Sequence, residues 1–221
     1  MKIPNNFSVQ KAHRTQTRLA QKIIKQDRLP KKIRTVGGVD VAYVGNLGVA
    51  AVSVFDYDSL KPLEAEVAVC EVKMPYVPTL LSFRELPPAI AAIRKLRVCP
   101  DVFLVDAQGL AHPYRCGFAC HLGLALETPT IGVAKSRLFG EPVKVGAETF
   151  LMDKDEVVGA EVRTGEGFKP VYVSIGHMIS LQTAIEIVKH MSREGISEPL
   201  LQAHMLATKE RNSLAAALGQ K

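Results

Sequence analysis

Residues 36–74 form three apolar runs whose connections are too short for anything but chain reversal, and this limits the folds open to the chain more than any other feature. Gly45-Asn46-Leu47-Gly48 joins the run at 36–44 to the run at 49–57, and Asp58-Ser59-Leu60-Lys61-Pro62 leads into a third at 64–74. Four- or five-residue connections rich in Gly, Asp and Pro imply an antiparallel meander. Two later runs differ in kind. DVFLVD at 101–106 and TIGVA at 130–134 are short and continuously apolar, the pattern of parallel strands buried on both faces. Helical stretches are expected at 8–27, 82–96, 115–126, 180–193 and 198–217, and a hairpin at 155–163 and 170–176, with Gly176 and Gly195-Ile196-Ser197 as turns. This order predicts an α/β fold: a mixed central β-sheet, an antiparallel meander followed by parallel strands, flanked by helices.

At 221 residues and 47% hydrophobic content, residues 1–221 are expected to form one domain. No apolar run is long enough to span a bilayer, and MKIPNNFSVQKAH lacks the apolar core of a secretory signal, so a cytoplasmic protein without a membrane partner is expected. Neither a further domain nor a heptad seam suggests assembly, and a monomer is expected. His112, Cys116 and Cys120 are spaced to line one helix face, but no further ligand pair completes a zinc site. Cys70, Cys99, Cys116 and Cys120 read better as reduced thiols. Residues 1–34 carry ten Lys and Arg (Lys2, Lys11, Arg14, Arg18, Lys22, Lys25, Arg28, Lys31, Lys32, Arg34) against Asp27, a charge of +9 that leaves −3 on the other 187 residues of a +6 chain. A basic amphipathic helix over 8–27, with Ser8 as its N-cap, suits either a nucleic-acid backbone or a solvated face.

Against this apolar background stand three carboxylates. Asp40 interrupts VGGVDVAYV, Asp106 ends FLVD, and Glu85 opens the helix after MPYVPTLLSFRE. Burying an unpaired charge costs several kcal/mol, roughly. Each residue alone has a local explanation: an amide contact for Asp40, a turn cap for Asp106, a first helical turn for Glu85. The first and fourth strands can nevertheless lie side by side and parallel, which would bring Asp40 and Asp106 to one sheet edge, where ligand sites in open α/β sheets favour the strand ends. Three converging carboxylates make a hard oxygen site for Mg²⁺, with Mn²⁺ as a substitute.

Several separated motifs carry a more specific signal. GVD at 38–40, MPYVP at 74–78, SFRE at 82–85, VDAQGLAHP at 105–113, PTIGVAKSRL at 129–138 and SIGH at 174–177 together resemble the endonuclease V family over nearly the whole chain. The resemblance implies a ribonuclease H-like fold and a Mg²⁺-dependent DNA repair endonuclease. Its substrate would be DNA containing deoxyinosine, cut at the second phosphodiester 3′ to the lesion to leave 3′-hydroxyl and 5′-phosphate ends. It also implies Asp40, Glu85 and Asp106 as metal carboxylates, His204 beside the metal, and Lys135 near the attacking water and the scissile phosphate. A lysine cation there would ease charge build-up in the transition state. Taken by themselves, His112, His177 and His204 are ambiguous, though His112 is placed to orient a neighbouring carboxylate.

Pro75-Tyr76-Val77-Pro78 holds an aromatic face on a stiffened loop, and the resemblance implies a strand-separating wedge; an ordinary packed loop tyrosine is the plainer alternative. Backbone around Thr79, Leu80 and Leu81, and from Ala107 through Gly109 to Leu110, with His112 nearby, would then line the pocket for the flipped base. Thr79 and Ala107 stand where the family often has glycine, so a tighter pocket is expected, less tolerant of uracil, abasic sites or mismatches. Two further readings are inosine-containing RNA as main substrate and a catalytically silent nucleic-acid-binding module. The acidic triad argues against the second, since clustered negative charge repels phosphate.

Overall fold

The computed structural model describes residues 7–219, so Lys2 of the basic segment lies outside the described residues. The meander forms as expected. β1 (Thr35–Val44), β2 (Leu47–Asp56) and β3 (Pro62–Glu71) pair antiparallel, with Gly45 at φ 55° in the first turn. After α2 (Leu81–Ile93), β4 (Val102–Val105) lies parallel to β1, and after α3 (Phe118–Leu126), β5 (Thr130–Ala134) lies parallel to β4. Four antiparallel strands extend the sheet beyond β5: β6 (Glu141–Val145), β7 (Glu148–Asp153), β8 (Glu156–Val162) and β9 (Val171–His177). The nine-stranded order is β3-β2-β1-β4-β5-β9-β8-β7-β6. α4 (Leu181–His190), the two-residue strands β10 (Ser192–Arg193) and β11 (Ile196–Ser197), and α5 (Glu198–Ala217) complete the chain. Among the described residues no helix is long and apolar enough to cross a membrane.

Both faces of the central strands are covered, and β4 shows why its sequence is continuously apolar. Val102 and Leu104 enter a core shared with Ile187, Val188 and Leu200 from α4 and α5. Phe103 and Val105 enter the other core, against Ala89 and Ala92 of α2 and Phe118 and Leu122 of α3. Successive strand residues point to opposite faces. Val39 and Val105 are paired in register and both join the α2–α3 core, so Asp40 and Asp106, one residue further, turn together toward the α5 side. α5 reaches that side by close approach. Gly38 abuts the Pro199 backbone, and the Ser53 hydroxyl donates to the Pro199 carbonyl at 2.7 Å.

Three expectations need correction. Of the turn expected at Gly195-Ile196-Ser197 only Gly195 is in the turn, and Ile196–Ser197 forms β11. The first helix, α1 (Val9–Ala20), begins on the Ser8 cap, whose hydroxyl accepts from the Lys11 amide at 3.2 Å, but it ends seven residues before residue 27. Its continuation turns out of the helix and is anchored on the body. Ile23 enters the main core, the Ile24 amide donates to His177 Nδ1 at 3.3 Å, and Asp27 accepts from the Ser180 amide at 2.7 Å. Gly176 is not a turn. It is the extra residue of a bulge in β9, where Thr130 pairs with His177 and Ile131 with Ile175. A side chain there would strike Thr130. β6 and β7 also went unread; β6 is exposed along its whole length and has no buried face to mark it.

A methyl group at Gly38 would meet the Leu200 amide nitrogen at 2.7 Å and the Pro199 carbonyl more closely still, and backbone cannot swing aside. Gly38→Ala is therefore expected to lower stability by about 1–3 kcal/mol, the usual cost of overpacking. Urea unfolding checks this; a change under about 0.5 kcal/mol, the scale of a neutral surface substitution, would mean that α5 is not seated on β1 through this contact.

Candidate active site

Asp40, Asp106 and His204 converge where β1, β4 and α5 meet, with one ligand atom of each lying within 4.8 Å of the others. His204 Nδ1 donates to Asp40 Oδ2 at 2.7 Å, and the Val41 amide donates to Asp40 Oδ1 at 2.8 Å. Lys135, just past β5, donates from Nζ to Asp106 Oδ2 at 2.7 Å. Two like charges side by side are thus each matched by a neighbouring positive or protonatable group. His204 and Lys135 are about half and three-fifths exposed (50% and 62%), so their nitrogens stay open to an incoming phosphate.

Glu85, on α2, lies outside that three-ligand cluster but close enough for the charges of Asp40 and Asp106 to act on it. It is buried, and its proton is held well above the ordinary carboxylate range, first by burial and then by the charges of Asp40 and Asp106. Asp106 is also raised, by burial and by Asp40, while Lys135 pulls it back. Arg84 lies 3.9 Å over the Tyr43 ring beside this group, and burial raises the Tyr43 hydroxyl, with Glu85 adding to the effect. A buried carboxylate facing two others is the electrostatic setting that a cation resolves. Carboxylate oxygens with one imidazole suit a hard divalent ion, so the donor set fits a metal. Among the described residues this is the single cluster of three such ligands. The zinc arrangement does not form: Cys116 and Cys120 are buried free thiols, Cys116 pushed up to about 12 by burial.

A cavity of about 350 Å³ opens beside Asp106 and Lys135. Tyr76, Pro78, Thr79, Leu81, Ala107 and His112, all named from the sequence, line it. Tyr76 stands 65% exposed at its mouth, too open for a packed loop tyrosine. Pro75, Val77 and Gly109 do not line it. Pro75 is buried beneath, Val77 packs with Met74 and Leu80 against Ala12 of α1, and Gly109 is buried against Ile175 and bonded through its amide to Ser174 Oγ at 2.8 Å.

Thr79 has φ 70°, a left-handed conformation that glycine adopts freely and a β-branched residue rarely does. Three side chains hold it there. Gln16 Nε2 donates to the Thr79 carbonyl at 2.8 Å and to the Cys116 carbonyl at 3.0 Å, and His13 Nε2 bonds the Thr79 hydroxyl at 3.0 Å. His112 is the third. Its Nδ1 accepts from the Tyr114 amide at 3.1 Å, which leaves Nε2–H to donate to the Thr79 carbonyl at 3.1 Å. Burial lowers His112 to about 4, so it is neutral, and it orients this loop instead of a carboxylate.

Gln16 and Ser82 also line the cavity and were missed from the sequence, while Gln108 falls within the 107–110 segment expected there. Gln16 carried a readable signal: it sits four residues after Ala12 and three before Leu19, in phase with the apolar stripe of its helix. Ser82 had none.

A carboxylate from the middle of β1, another just past the end of β4 and an imidazole from α5, beside an accessible lysine, suit metal-dependent hydrolysis of phosphate esters. Comparison with known proteins narrows that class. The family model for endonuclease V matches residues 17–205, and the chain belongs to the endonuclease V family of metal-dependent endonucleases. It is 46% identical to endonuclease V of Thermofilum pendens over 94% of this chain and 90% of that protein. The crystal structure of Streptomyces avermitilis endonuclease V superposes with a TM-score of 0.86 at 34% identity, covering 96% of this chain and 98% of that one. Ciona intestinalis endonuclease V, solved with a 24mer DNA containing an inosine followed by a ribo-adenosine, gives 0.86 at 32% identity over 93% and 98%. The mixed sheet is thereby ribonuclease H-like, as the sequence motifs implied.

The charge arrangement has a measurable consequence for the metal-free protein. Folded Glu85 keeps its proton to higher pH than the unfolded chain does. Between the ordinary carboxylate value and the raised one the native state binds more protons, so stability is full below this window and falls as pH rises through it. Thermal melts in EDTA are expected to show Tm dropping with pH there, and Glu85→Gln should flatten the drop. A divalent cation at a hundred times its Kd should restore about 2.7 kcal/mol at neutral pH. A Tm in EDTA that climbs through the window would contradict this assignment.

Proposed function

We propose that the protein is a DNA repair endonuclease that recognises deoxyinosine and hydrolyses the second phosphodiester 3′ to it, leaving 3′-hydroxyl and 5′-phosphate ends. The observation that carries this reading is the shared wall of two functional parts: Asp106, Ala107 and Lys135 line the Tyr76 cavity, while Asp106 also belongs to the metal-ligand cluster. A base held in that cavity keeps a phosphate of its own strand within reach of the carboxylates. The DNA complex of the Ciona protein supports inosine as the base.

Asp40, Glu85 and Asp106 would hold Mg²⁺, with Mn²⁺ as a substitute. When bound, such an ion supplies positive charge to the phosphoryl oxygens and makes a water acidic enough to attack. The chain's own residues do the rest. Lys135 Nζ, 2.7 Å from Asp106 and open to solvent, can turn to the scissile phosphate and balance its growing negative charge. His204 fixes Asp40 through Nδ1 and presents its other nitrogen toward solvent, where it can carry a proton to or from the reacting oxygens. Tyr76 inserts where the base has left the stack, and the loop behind it, held by Gln16, His13 and His112, lets the ring bear on the duplex without yielding. Exposed Lys11, Arg14, Arg18 and Lys22 lie along the outer side of the same N-terminal segment and are suited to backbone phosphates.

Incubating the protein with labelled inosine-containing DNA and RNA oligonucleotides, in Mg²⁺ or EDTA, tests the reading. Mg²⁺-dependent cutting one nucleotide beyond the inosine of DNA is expected, and stronger cutting of the RNA would reverse the substrate order. Asp40→Ala and Asp106→Ala should each cut at least about 10²-fold more slowly, the scale of losing a charge-stabilising group, with binding largely kept. Full activity in either would remove the metal assignment. Tyr76→Ala should weaken inosine DNA more than undamaged DNA, by about 1–3 kcal/mol of lost stacking; equal weakening would make Tyr76 structural.

Thr79 and Ala107 both put a side chain on the cavity wall at positions where the family often has glycine. Deoxyinosine duplexes should therefore be cut at least about tenfold faster than deoxyuridine or abasic ones, a difference of about 1.4 kcal/mol. Equal rates on all three would refute the tight pocket.

A further inference from the structure

A second and larger cavity, about 460 Å³, lies on the other side of the carboxylates, within the roughly 300–1,000 Å³ range of ligand pockets. Val188, Leu200 and Leu201 give it apolar walls, and Phe168 and Ile196 stand at its mouth, 43% and 42% exposed. Both exposed side chains are held by built features. Phe168 comes from the 163–170 connection, and its ring lies against the Gly195 backbone, where any Cβ would strike it. Gly195 (φ 84°) and Glu194 (φ 48°) form the tight turn between β10 and β11, and the Thr164 hydroxyl ties the two segments by donating to the Gly195 carbonyl at 2.7 Å. Apolar side chains kept open to solvent beside a reactive centre mark a binding surface.

Asp106, Ala134 and Lys135 line this cavity as well as the Tyr76 cavity, so the two meet at the reacting groups from opposite sides. A polynucleotide is the occupant that such an arrangement fits. A strand with its inosine base in the first cavity and its scissile phosphate at Asp106 and Lys135 must continue past them, and with cutting 3′ to the lesion it continues in the 3′ direction. Resting on the function proposed above, we infer that the second cavity is a subsite for the nucleotide immediately 3′ to the scissile phosphate, whose base stacks on Phe168 and sits among the apolar walls.

The bond that breaks joins phosphorus to the 3′ oxygen of the preceding nucleotide. Water supplies the new oxygen on phosphorus, the departing oxygen takes a proton, and the phosphate stays on the nucleotide held in the subsite. Anchoring that nucleotide therefore positions its own 5′-phosphate against Lys135. Exposed Lys169 at the rim is placed for the next phosphate. Walls poor in hydrogen-bonding groups would take any base by stacking, with purines held best.

Single-stranded inosine oligonucleotides carrying either adenine or an abasic residue directly 3′ to the cut test the subsite without competition from pairing. Wild-type protein is expected to cut the adenine form about tenfold more efficiently, on the scale of one stacked base. Phe168→Ala should cut both forms at the rate wild type cuts the abasic one, and Phe168→Tyr should restore the preference. Equal efficiency of the wild type on both forms overturns the subsite, as does a tenfold preference that survives in Phe168→Ala. Replacing the inosine by adenine in the same strands reads the lesion specificity separately. Equal cutting with and without inosine would count against that specificity alone, since the adenine-to-abasic ratio is still measured on whichever strand is cut. No cutting of any strand would overturn both.

Discussion

Two carboxylates held side by side at the centre of a hydrophobic sheet are the constraint on which the remaining structure depends. β1 and β4 are parallel neighbours with Val39 opposite Val105, so Asp40 and Asp106 emerge together on one face. Burial raises Asp106 and Glu85, and the repulsion among the carboxylates adds to both. Groups from three further elements surround Asp40 and Asp106, two of which offset the charge. α5 brings His204 onto Asp40, the end of β5 brings Lys135 onto Asp106, and α2 brings Glu85 from the opposite layer. Each delivery needs its own packing solution, of which the bare backbone of Gly38 beneath Pro199 is the clearest. Such a cluster gains little for stability, because removing charges from water costs more than their pairing returns unless a further cation joins them. Its arrangement makes sense as a site for chemistry.

The loop bearing Tyr76 shows a second investment of the same kind. Thr79 adopts a conformation suited to glycine, and Gln16, His13 and His112 converge to hold it. Backbone strain of this sort persists only where the surroundings over-determine it. The basic helix α1 thereby has two faces with different work: one carries exposed cations, and the other, through the buried Gln16, braces the loop that meets the base. Cavities on both sides of the reacting groups give a strand a continuous path from the inspected base to the nucleotide beyond the cut.

Turn spacing made the meander legible, and continuous apolar runs made the two parallel strands legible, because both signals are local. The period-two alternation of strands likewise carried the meeting of Asp40 and Asp106, once β1 and β4 were neighbours. Local signals failed where tertiary anchors overrode them. Residues 21–27 keep a helical pattern yet leave the helix through a turn and are anchored on the body by Ile23, Ile24 and Asp27. Gly176, which reads as a turn, is a bulge that keeps β9 paired with β5. β6 offers no buried face to read. His112 next to Pro113 looked like a partner for a carboxylate, but its two nitrogens are both engaged by backbone.

By itself the sequence determined the α/β architecture, the carboxylate positions and, through several motifs in one order, the family. These follow from residue periodicity and from chemistry that few arrangements of Asp, Glu and Lys can supply. Only the tertiary structure decided that His204, 164 positions from Asp40, bonds to it, that Gln16 reaches across to brace Thr79, and that a second apolar cavity adjoins the reacting groups. Such contacts depend on how α1, α5 and the β10–β11 turn pack onto the sheet, and contact across that distance leaves no periodic trace in the chain.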